Sequence, residues 1–222
     1  MSEAPALLAF ETVARSGSAC VIGADGRELA FVDLAGVASE RGLVPLVDSL
    51  IRAHGVPREL AVACGPGSFT GLRVGVVCAR TLAWVEGLRV RAVDSLEALA
   101  RARGDGLWWT LLPLKRDTTF HALFRIAGGR CETLRATATA ADAEAIDLHP
   151  ETAEAVAIGP ALATKPELAG RWCPGVRLGD AAGVDARGVA LAAADAPLVE
   201  WAALLPAYHQ LSAPELQRRR GG

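Results

Sequence analysis

Short apolar runs and one amphipathic stretch alternate with turns in the first part of the chain. Residues 7–11 form an apolar run of strand length, and residues 18–22 and 28–34 flank an Asp-Gly turn. Asp-Gly between two such runs is typical of a β-hairpin, so the pattern predicts three antiparallel strands. Apolar positions within residues 43–54 then recur at i, i+3, i+4 and i+7 spacing, which predicts an amphipathic helix.

Strands and helices alternate in the next part of the chain. Residues 60–64 form a buried-type strand, and residues 65–71 form a glycine-rich loop that leads into an apolar helix at 72–86. A strand at 89–93 and a short helix at 95–101 follow. Three antiparallel strands, followed by parallel strands that helices separate, are the pattern of a ribonuclease-H-like mixed sheet, the unit of actin-like (ASKHA) proteins.

The second half of the chain partly repeats this pattern. Four runs carry the strand signal: 107–114, 120–126, 131–136 and 155–158. The alanine-rich stretch 138–146 is expected to be helical. The Arg-Gly-Asp-Gly turn at 103–106 is the expected boundary. We therefore expect an α/β protein of two lobes, 1–104 and 105–222, with mixed sheets flanked by helices, the second lobe being the smaller.

Composition narrows the classes of function. The chain has 222 residues, of which 51% are hydrophobic and 22% charged, and a formal net charge of −2 at pH 7. Nucleic-acid binding through general electrostatics needs clustered lysine or arginine, so this balance argues against it. The basic cluster at residues 218–220 is expected to be a solvated tail.

Cysteines, histidines and the N-terminal residues narrow these classes further. Five cysteines without a Cys-x-x-Cys pair indicate reduced thiols, and four histidines without ligand spacing predict no metal site. Residues 1–10 lack the positive charge and the length of apolar run that a signal peptide needs, and no later run approaches a membrane span. We therefore expect a cytoplasmic protein.

The loop at 65–71 reads Gly-Pro-Gly-Ser-Phe-Thr-Gly and lies at the N-terminus of a predicted helix. Unpaired backbone N–H groups and the positive end of the helix dipole favour anions at such a position. The loop is not a P-loop, because Leu72 stands where that motif needs a lysine. In the alternative interpretation Ser68 or Thr70 caps the helix and the glycines only make the turn. The candidate anion-binding residues of the loop are Gly65, Gly67, Ser68, Thr70 and Gly71.

A longer string, Gly-Pro-Gly-Ser-Phe-Thr-Gly-Leu-Arg-Val-Gly from residue 65 to 75, resembles the signature of the TsaB (YeaZ) family. Three other segments resemble parts of the same family: 7–12 its opening strand, 39–45 the start of its first long helix, and 205–208 with Glu215 its C-terminal Pro-x-Tyr segment. The resemblance implies a non-catalytic subunit that binds TsaD, together with TsaE. It further implies that this complex supports transfer of a threonylcarbamoyl group to adenosine 37 of tRNA.

The resemblance also implies what chemistry to expect. The opening strand of the family commonly ends in Asp-Thr. In phosphate-transferring members of the superfamily, the aspartate at this position binds the metal and the phosphates. Glu11 and Thr12 occupy the position here. A glutamate carries its carboxylate about one methylene further out, so we expect a structural polar site there. The older family name, peptidase M22 or glycoprotease, suggests hydrolysis, but the sequence has neither a Gly-x-Ser-x-Gly elbow nor a His-Glu-x-x-His motif. We expect no catalytic residue and no metal, and ATP or ADP only at a complex interface.

The two long predicted helices carry the expectation about partners. Family members that resemble this chain pair through these helices, as homodimers or with TsaD. The resemblance therefore implies that tRNA is contacted only indirectly and that no membrane is involved. The second helix is apolar almost all round, interrupted mainly by Arg73 and Arg80, so it needs more than one apolar neighbour. Complete burial within the monomer is the alternative. The candidate interface residues are Leu43, Leu46, Val47, Leu50, Arg73, Gly75, Val76, Ala79 and Arg80.

Two further interpretations stay open. A stand-alone ATP-dependent enzyme of the same superfamily, such as a small-molecule kinase, would place Glu11, Thr12, Ser68 and Thr70 around the phosphates. A divergent family member with another partner is indicated by Glu11 and by Lys-Arg-Asp at 115–117, which depart from the usual pattern of the family. Magnesium-dependent ATP binding by the isolated chain would favour the enzyme.

Overall fold

The computed structural model describes residues 4–14 and 16–207 of the chain. Its strands are β1 (Leu7–Glu11), β2 (Ser18–Ile22), β3 (Glu28–Asp33), β4 (Glu59–Gly65), β5 (Arg89–Asp94), β6 (Gly106–Lys115), β7 (Thr118–Ala127), β8 (Arg130–Ala141), β9 (Val156–Ile158), β10 (Arg177–Leu178) and β11 (Leu198–Val199). Its α-helices are α1 (Ser39–His54), α2 (Phe69–Glu86), α3 (Ser95–Arg101), α4 (Ala161–Thr164), α5 (Leu168–Trp172) and α6 (Ala186–Ala192), and 3-10 helices span Pro150–Glu154 and Trp201–Ala203. Tyr208 and Glu215 of the predicted C-terminal segment, and the basic cluster 218–220, lie outside the described residues.

The first sheet joins six strands in the order β11-β5-β4-β1-β2-β3. β1, β2 and β3 are antiparallel neighbours, whereas β1, β4 and β5 run parallel. Parallel neighbours need a crossover connection, and α2 supplies it between β4 and β5. The prediction of a three-stranded meander followed by parallel strands is therefore confirmed.

The second sheet has the order β10-β9-β6-β7-β8 and repeats the mixed pattern, with β6, β7 and β8 antiparallel and β9 parallel to β6. The prediction of a helix at 138–146 is wrong, because β8 continues to Ala141 and pairs Thr139 with Phe120 of β7. Threonine alternates with alanine at the end of β8. β-Branched side chains suit a pleated strand, and the pairing with β7 outweighs the weak helix propensity of the alanines.

Buried side chains hold the layers together in three clusters among the described residues. α1 and α2 cover one face of the first sheet, where Leu43 and Val76 share a cluster with Phe10 of β1. α3 and α6 cover the opposite face, and α3 also reaches the second sheet, so that Leu96 shares a cluster with residues of β7. The remaining face of the second sheet packs on α4 and α5, where Trp109 lies against Trp172.

The chain returns to the first sheet after it has built the second. The turn at 103–106 lies between α3 and β6, at the position expected for a boundary. α6 nevertheless packs against α3, β1 and β2, and β11 pairs with β5 through Val199 and Val90. Residues 186–204, which lie in the second predicted lobe by sequence number, therefore complete the first sheet and its helical layer.

Candidate functional site

The glycine-rich loop connects β4 to α2, and Ser68 is the residue that starts the helix. Its hydroxyl accepts a hydrogen bond from the backbone N–H of Gly71 at 3.3 Å, and its carbonyl accepts one from Leu72 N–H at 2.8 Å. Ser68 is thus the N-cap, which satisfies one of the N–H groups that an anion would otherwise use. Thr70 lies exposed beside it in the first turn.

The glycines bring the loop and α2 against the segment that follows β1. Ser68 N–H donates to Val13 O at 2.8 Å, and the Thr12 hydroxyl donates to Gly71 O at 2.7 Å. A Cβ on Gly71 would overlap the carbonyl oxygen of Thr12, and one on Gly75 would lie 2.5 Å from the Thr12 hydroxyl oxygen. Close backbone approach therefore explains these two glycines without a ligand.

The last described residues close the loop from its other side. Ala207 N–H donates to Cys64 O at 2.7 Å, and a Cβ on Gly65 would lie 2.6 Å from Ala207 O. Gly65 also has a φ of +138°, a conformation that L side chains rarely adopt. The chain itself thus packs on two sides of the loop, with Ser68 and Thr70 left at the surface. Anion binding by this loop stays a prediction.

Glu11 and Thr12 lie inside the protein at the end of β1. One carboxylate oxygen of Glu11 accepts from Val13 N–H at 2.9 Å, and the other accepts from the Ser18 hydroxyl at 2.8 Å. Burial raises the pKa of Glu11 to about 7, although these two hydrogen bonds act in the opposite direction, and the nearby charge of Asp185 adds to the rise. Both oxygens are already used by the protein's own donors.

The two predicted interface helices are amphipathic, and most of the predicted interface residues face inward. Seven of them are buried in the first sheet's helical layer: Leu43, Leu46, Val47, Leu50, Gly75, Val76 and Ala79. Placed this way, they pack within the monomer, and their part in a partner interface stays a prediction. Arg73 is exposed and Arg80 half-buried, so these two remain at the surface.

The outer surface of α2 carries a stripe of five residues, of which the sequence predicted only the two arginines as interface residues. Phe69, Arg73, Val77, Arg80 and Trp84 follow one another at steps of three or four residues, which places them on one face of a helix with about 3.6 residues per turn. We call these five residues the α2 stripe. The two arginines, seven positions apart, were the signal for this face, because charge marks the solvent side of an otherwise apolar helix. On α1, Val44 is exposed in the same way.

Residues 4–14 and 16–207 contain neither a cluster of metal ligands nor a helix able to span a membrane. No group of three or more histidine, cysteine, aspartate or glutamate side chains is placed to hold a metal ion there. No helix in this part of the chain has the length and hydropathy needed to cross a membrane. His121 is buried alone against Trp172, and burial lowers its pKa to about 4.

Comparison with known proteins identifies the family to which this chain belongs. A family model described as "TsaD: tRNA N6-adenosine threonylcarbamoyltransferase" matches residues 34–157, more than half of the chain. The chain belongs to this family. Two curated relatives are both named "tRNA threonylcarbamoyladenosine biosynthesis protein TsaB", which confirms the predicted relation to the TsaB (YeaZ) proteins.

The matches to these TsaB proteins are partial. The Bacillus subtilis (strain 168) protein is 40% identical over 96 residues, which are 40% of this chain and 42% of the relative. The Haemophilus influenzae protein is 32% identical over 100 residues, which are 43% of this chain and 42% of the relative. The chain thus covers about two fifths of the length of each of these relatives.

Solved structures from Pseudomonas aeruginosa share the fold. A crystal structure of an uncharacterized protein with similarity to peptidase YEAZ has a TM-score of 0.77 and 22% identity, and the match covers 94% of this chain and 100% of that one. YeaZ has a TM-score of 0.73 and 21% identity, with 91% of this chain and 98% of that chain covered. The predicted α/β fold, with two mixed sheets flanked by helices, is confirmed, and these YeaZ-type structures share it.

Proposed function

We propose that this chain is a non-catalytic subunit in the synthesis of threonylcarbamoyladenosine on tRNA, and that it binds TsaD, with TsaE joining the complex. The observation that carries the proposal is the α2 stripe: Val77 and Trp84 are exposed on the outer face of the helix, whereas residues such as Val76 are buried on its inner face. Apolar side chains grouped on one helix face are typical of protein interfaces.

The inner residues support a role without chemistry of its own. The Glu11 carboxylate uses both oxygens on Val13 and Ser18, and the glycine loop is packed against the chain's own backbone. A phosphate-transferring site needs a carboxylate and N–H groups that are open to metal and nucleotide. The transfer chemistry then belongs to the partner, ATP or ADP binds only at the complex interface, and tRNA contacts this chain indirectly.

The interface in this proposal is the outer surface of α1 and α2, with Val44 and Val77 in place of the inward residues that the sequence suggested. In the absence of TsaD, a second copy covers the same surface as a homodimer, which is weaker because it brings the arginines of the two α2 helices together. tRNA is modified in the cytoplasm, which is where we place the protein.

The experiment is light scattering with size-exclusion chromatography on this protein alone and mixed with TsaD from the same source. We expect a one-to-one complex that forms at the expense of the homodimer. Val77→Asp should weaken this complex by about tenfold or more, because it buries an unpaired carboxylate in the interface. The matched control is Leu178→Asp in β10, since Leu178 is 57% exposed and Val77 59%.

Three results would contradict the proposal. No complex under any nucleotide condition would indicate a divergent member with another partner. Tight magnesium-dependent ATP binding and turnover by the chain alone would indicate a stand-alone enzyme. Equal loss of binding in Val77→Asp and Leu178→Asp would place the contact away from α2.

A further inference from the structure

An aromatic pocket lies at the C-terminal half of the α2 stripe. Trp84 is 65% exposed, and its ring lies 6.1 Å from the ring of Trp201 with the planes tilted by 40°. Together with Val77, Arg80 and Thr81, the two indoles line a pocket of about 260 Å³. A large apolar side chain is normally buried, so two neighbouring exposed tryptophans indicate a surface that something else covers.

The pocket is formed before any partner arrives, because the segment that carries Trp201 is fixed on both sides. Before it, Val199 of β11 pairs with Val90 of β5. After it, the Leu204 side chain is buried in the core of the first sheet, and Ala207 is hydrogen-bonded to Cys64. Trp201 therefore cannot swing far from Trp84, and binding there has a small ordering cost.

The size of the pocket selects the kind of occupant. Small-molecule sites usually enclose about 300–1,000 Å³ and bury most of their ligand. This pocket is smaller and lies open on a helix surface, which suits one side chain of a protein. Tryptophan and arginine together are also the residue types that dominate binding energy at protein interfaces.

The charge of α2 indicates what kind of partner would bind to it. Between residues 69 and 85, α2 carries Arg73 and Arg80 and no carboxylate; the first one is Glu86, the last residue of the helix. Two copies of the chain paired through α2 would bring these arginines together, and like charges repel. A partner helix with carboxylates would instead be attracted.

We propose that the Trp84–Trp201 pocket anchors one aliphatic side chain of an amphipathic, acidic helix of the partner protein, and that Arg80 at its edge pairs with a carboxylate on that helix. This inference rests on the proposed function, since it assigns the site at which TsaD would be held. It adds the C-terminal 3-10 helix to the interface, which a contact between α1 and α2 alone does not include.

The test uses the full-length chain and measures its affinity for TsaD by isothermal titration. We expect Trp84→Ala and Trp201→Ala each to weaken binding by about 30-fold or more, as interface anchors do. Arg80→Glu should weaken binding by about tenfold or more, whereas Arg80→Lys should keep most of the affinity. Leu178→Ala is the control for losing an exposed apolar side chain, and thermal melting of each variant checks that the fold is intact.

The outcomes separate this inference from the proposed function. If the wild-type chain does not bind TsaD, the proposed function fails. If it binds and the two tryptophan variants stay within about twofold of it, the proposed function stands and the pocket is not the anchor. Loss of only the homodimer in Trp84→Ala would make a second copy the occupant. Either of the last two results would overturn the inference.

Discussion

The hydroxyl of Ser18 donates a 2.8 Å hydrogen bond to the carboxylate of Glu11 and accepts the backbone N–H of Ala186 at 2.9 Å. This hydroxyl joins the end of β1, the start of β2 and the N-terminus of α6, although Ala186 lies 168 residues away from Ser18. The Glu11 carboxylate is thus buried where these three elements meet. This burial makes the stability of the protein depend on pH.

The contribution of Glu11 to stability should fall as the pH rises from about 4.5 to about 7. Burial raises its pKa from 4.5 to about 7, so the unfolded chain releases the proton near pH 4.5 while the folded protein holds it until about pH 7. The contribution is complete below pH 4.5 and is lost as the pH rises to about 7, by roughly 2 to 4 kcal/mol at about 1.4 kcal/mol per unit. Glu11→Gln should remove this dependence.

Urea unfolding at pH 5 and pH 8 measures the effect. The glutamine can still accept from Val13 N–H and can donate to the Ser18 hydroxyl, so the variant should gain stability over the wild type mainly at pH 8. Glu40→Gln, at an exposed position in the first turn of α1, is the control. An equal effect of Glu11→Gln at both pH values would show that the Glu11 carboxyl does not titrate in this range.

His121 should give a pH dependence of the opposite sign. Burial lowers its pKa from 6.5 to about 4, and the charge of Arg135 adds to this. The unfolded chain takes up a proton near pH 6.5 and the folded protein resists it, so this contribution is lost as the pH falls from about 6.5 to about 4, by roughly 2 to 4 kcal/mol. The difference in stability between His121→Leu and the wild type should therefore favour the variant more at pH 4.5 than at pH 7.5. A His121 proton resonance that titrates near pH 6.5 in the folded protein would contradict this.

Gly71 should tolerate no side chain, because a Cβ there would overlap the Thr12 carbonyl oxygen. Backbone cannot move aside as a flexible side chain does, so Gly71→Ala should cost about 2 to 3 kcal/mol and lower the melting temperature by several degrees. Gly170→Ala is the matched control in α5, since a Cβ at Gly170 meets nothing within 4 Å. It should be neutral or slightly stabilising. A melting temperature that Gly71→Ala leaves unchanged would mean that the packing of α2 on β1 is looser than described.

The sequence predicted the parts of the fold that depend on local patterns. The meander, the glycine loop and both long helices follow from periodicity and turn residues. Periodicity could not show which side of α2 faces the core, because apolar residues lie on both sides of the helix. Val76 faces the core, whereas Val77 faces solvent. The pairing of Trp84 with Trp201 depends on the return of the chain through α6 and β11, a long-range event that local pattern does not encode.

Arg101 should contribute far more to stability than an exposed arginine in an equally well-formed ion pair. Its side chain is 4% exposed and donates to Glu97 on its own helix, to Asp195 after α6 and to Gly129 O in the turn between β7 and β8. These contacts tie α3 to both the second sheet and the returning segment. Arg101→Leu removes the donor that these three acceptors share. Water can replace it at Asp195, which is 57% exposed, so the cost is that of lost hydrogen bonds to a charged group, about 1.5 to 3 kcal/mol.

Arg52 supplies the comparison, because it is 78% exposed and pairs with Asp48 one helical turn away. Exposed pairs of this kind contribute little because water screens them, so Arg52→Leu should leave the free energy of unfolding almost unchanged. Chemical denaturation of the two variants at one pH gives the difference directly. If both substitutions cost the same, Arg101 would act as a surface residue, and the layer between the two sheets would be held by apolar packing such as that of Leu96 and Leu99.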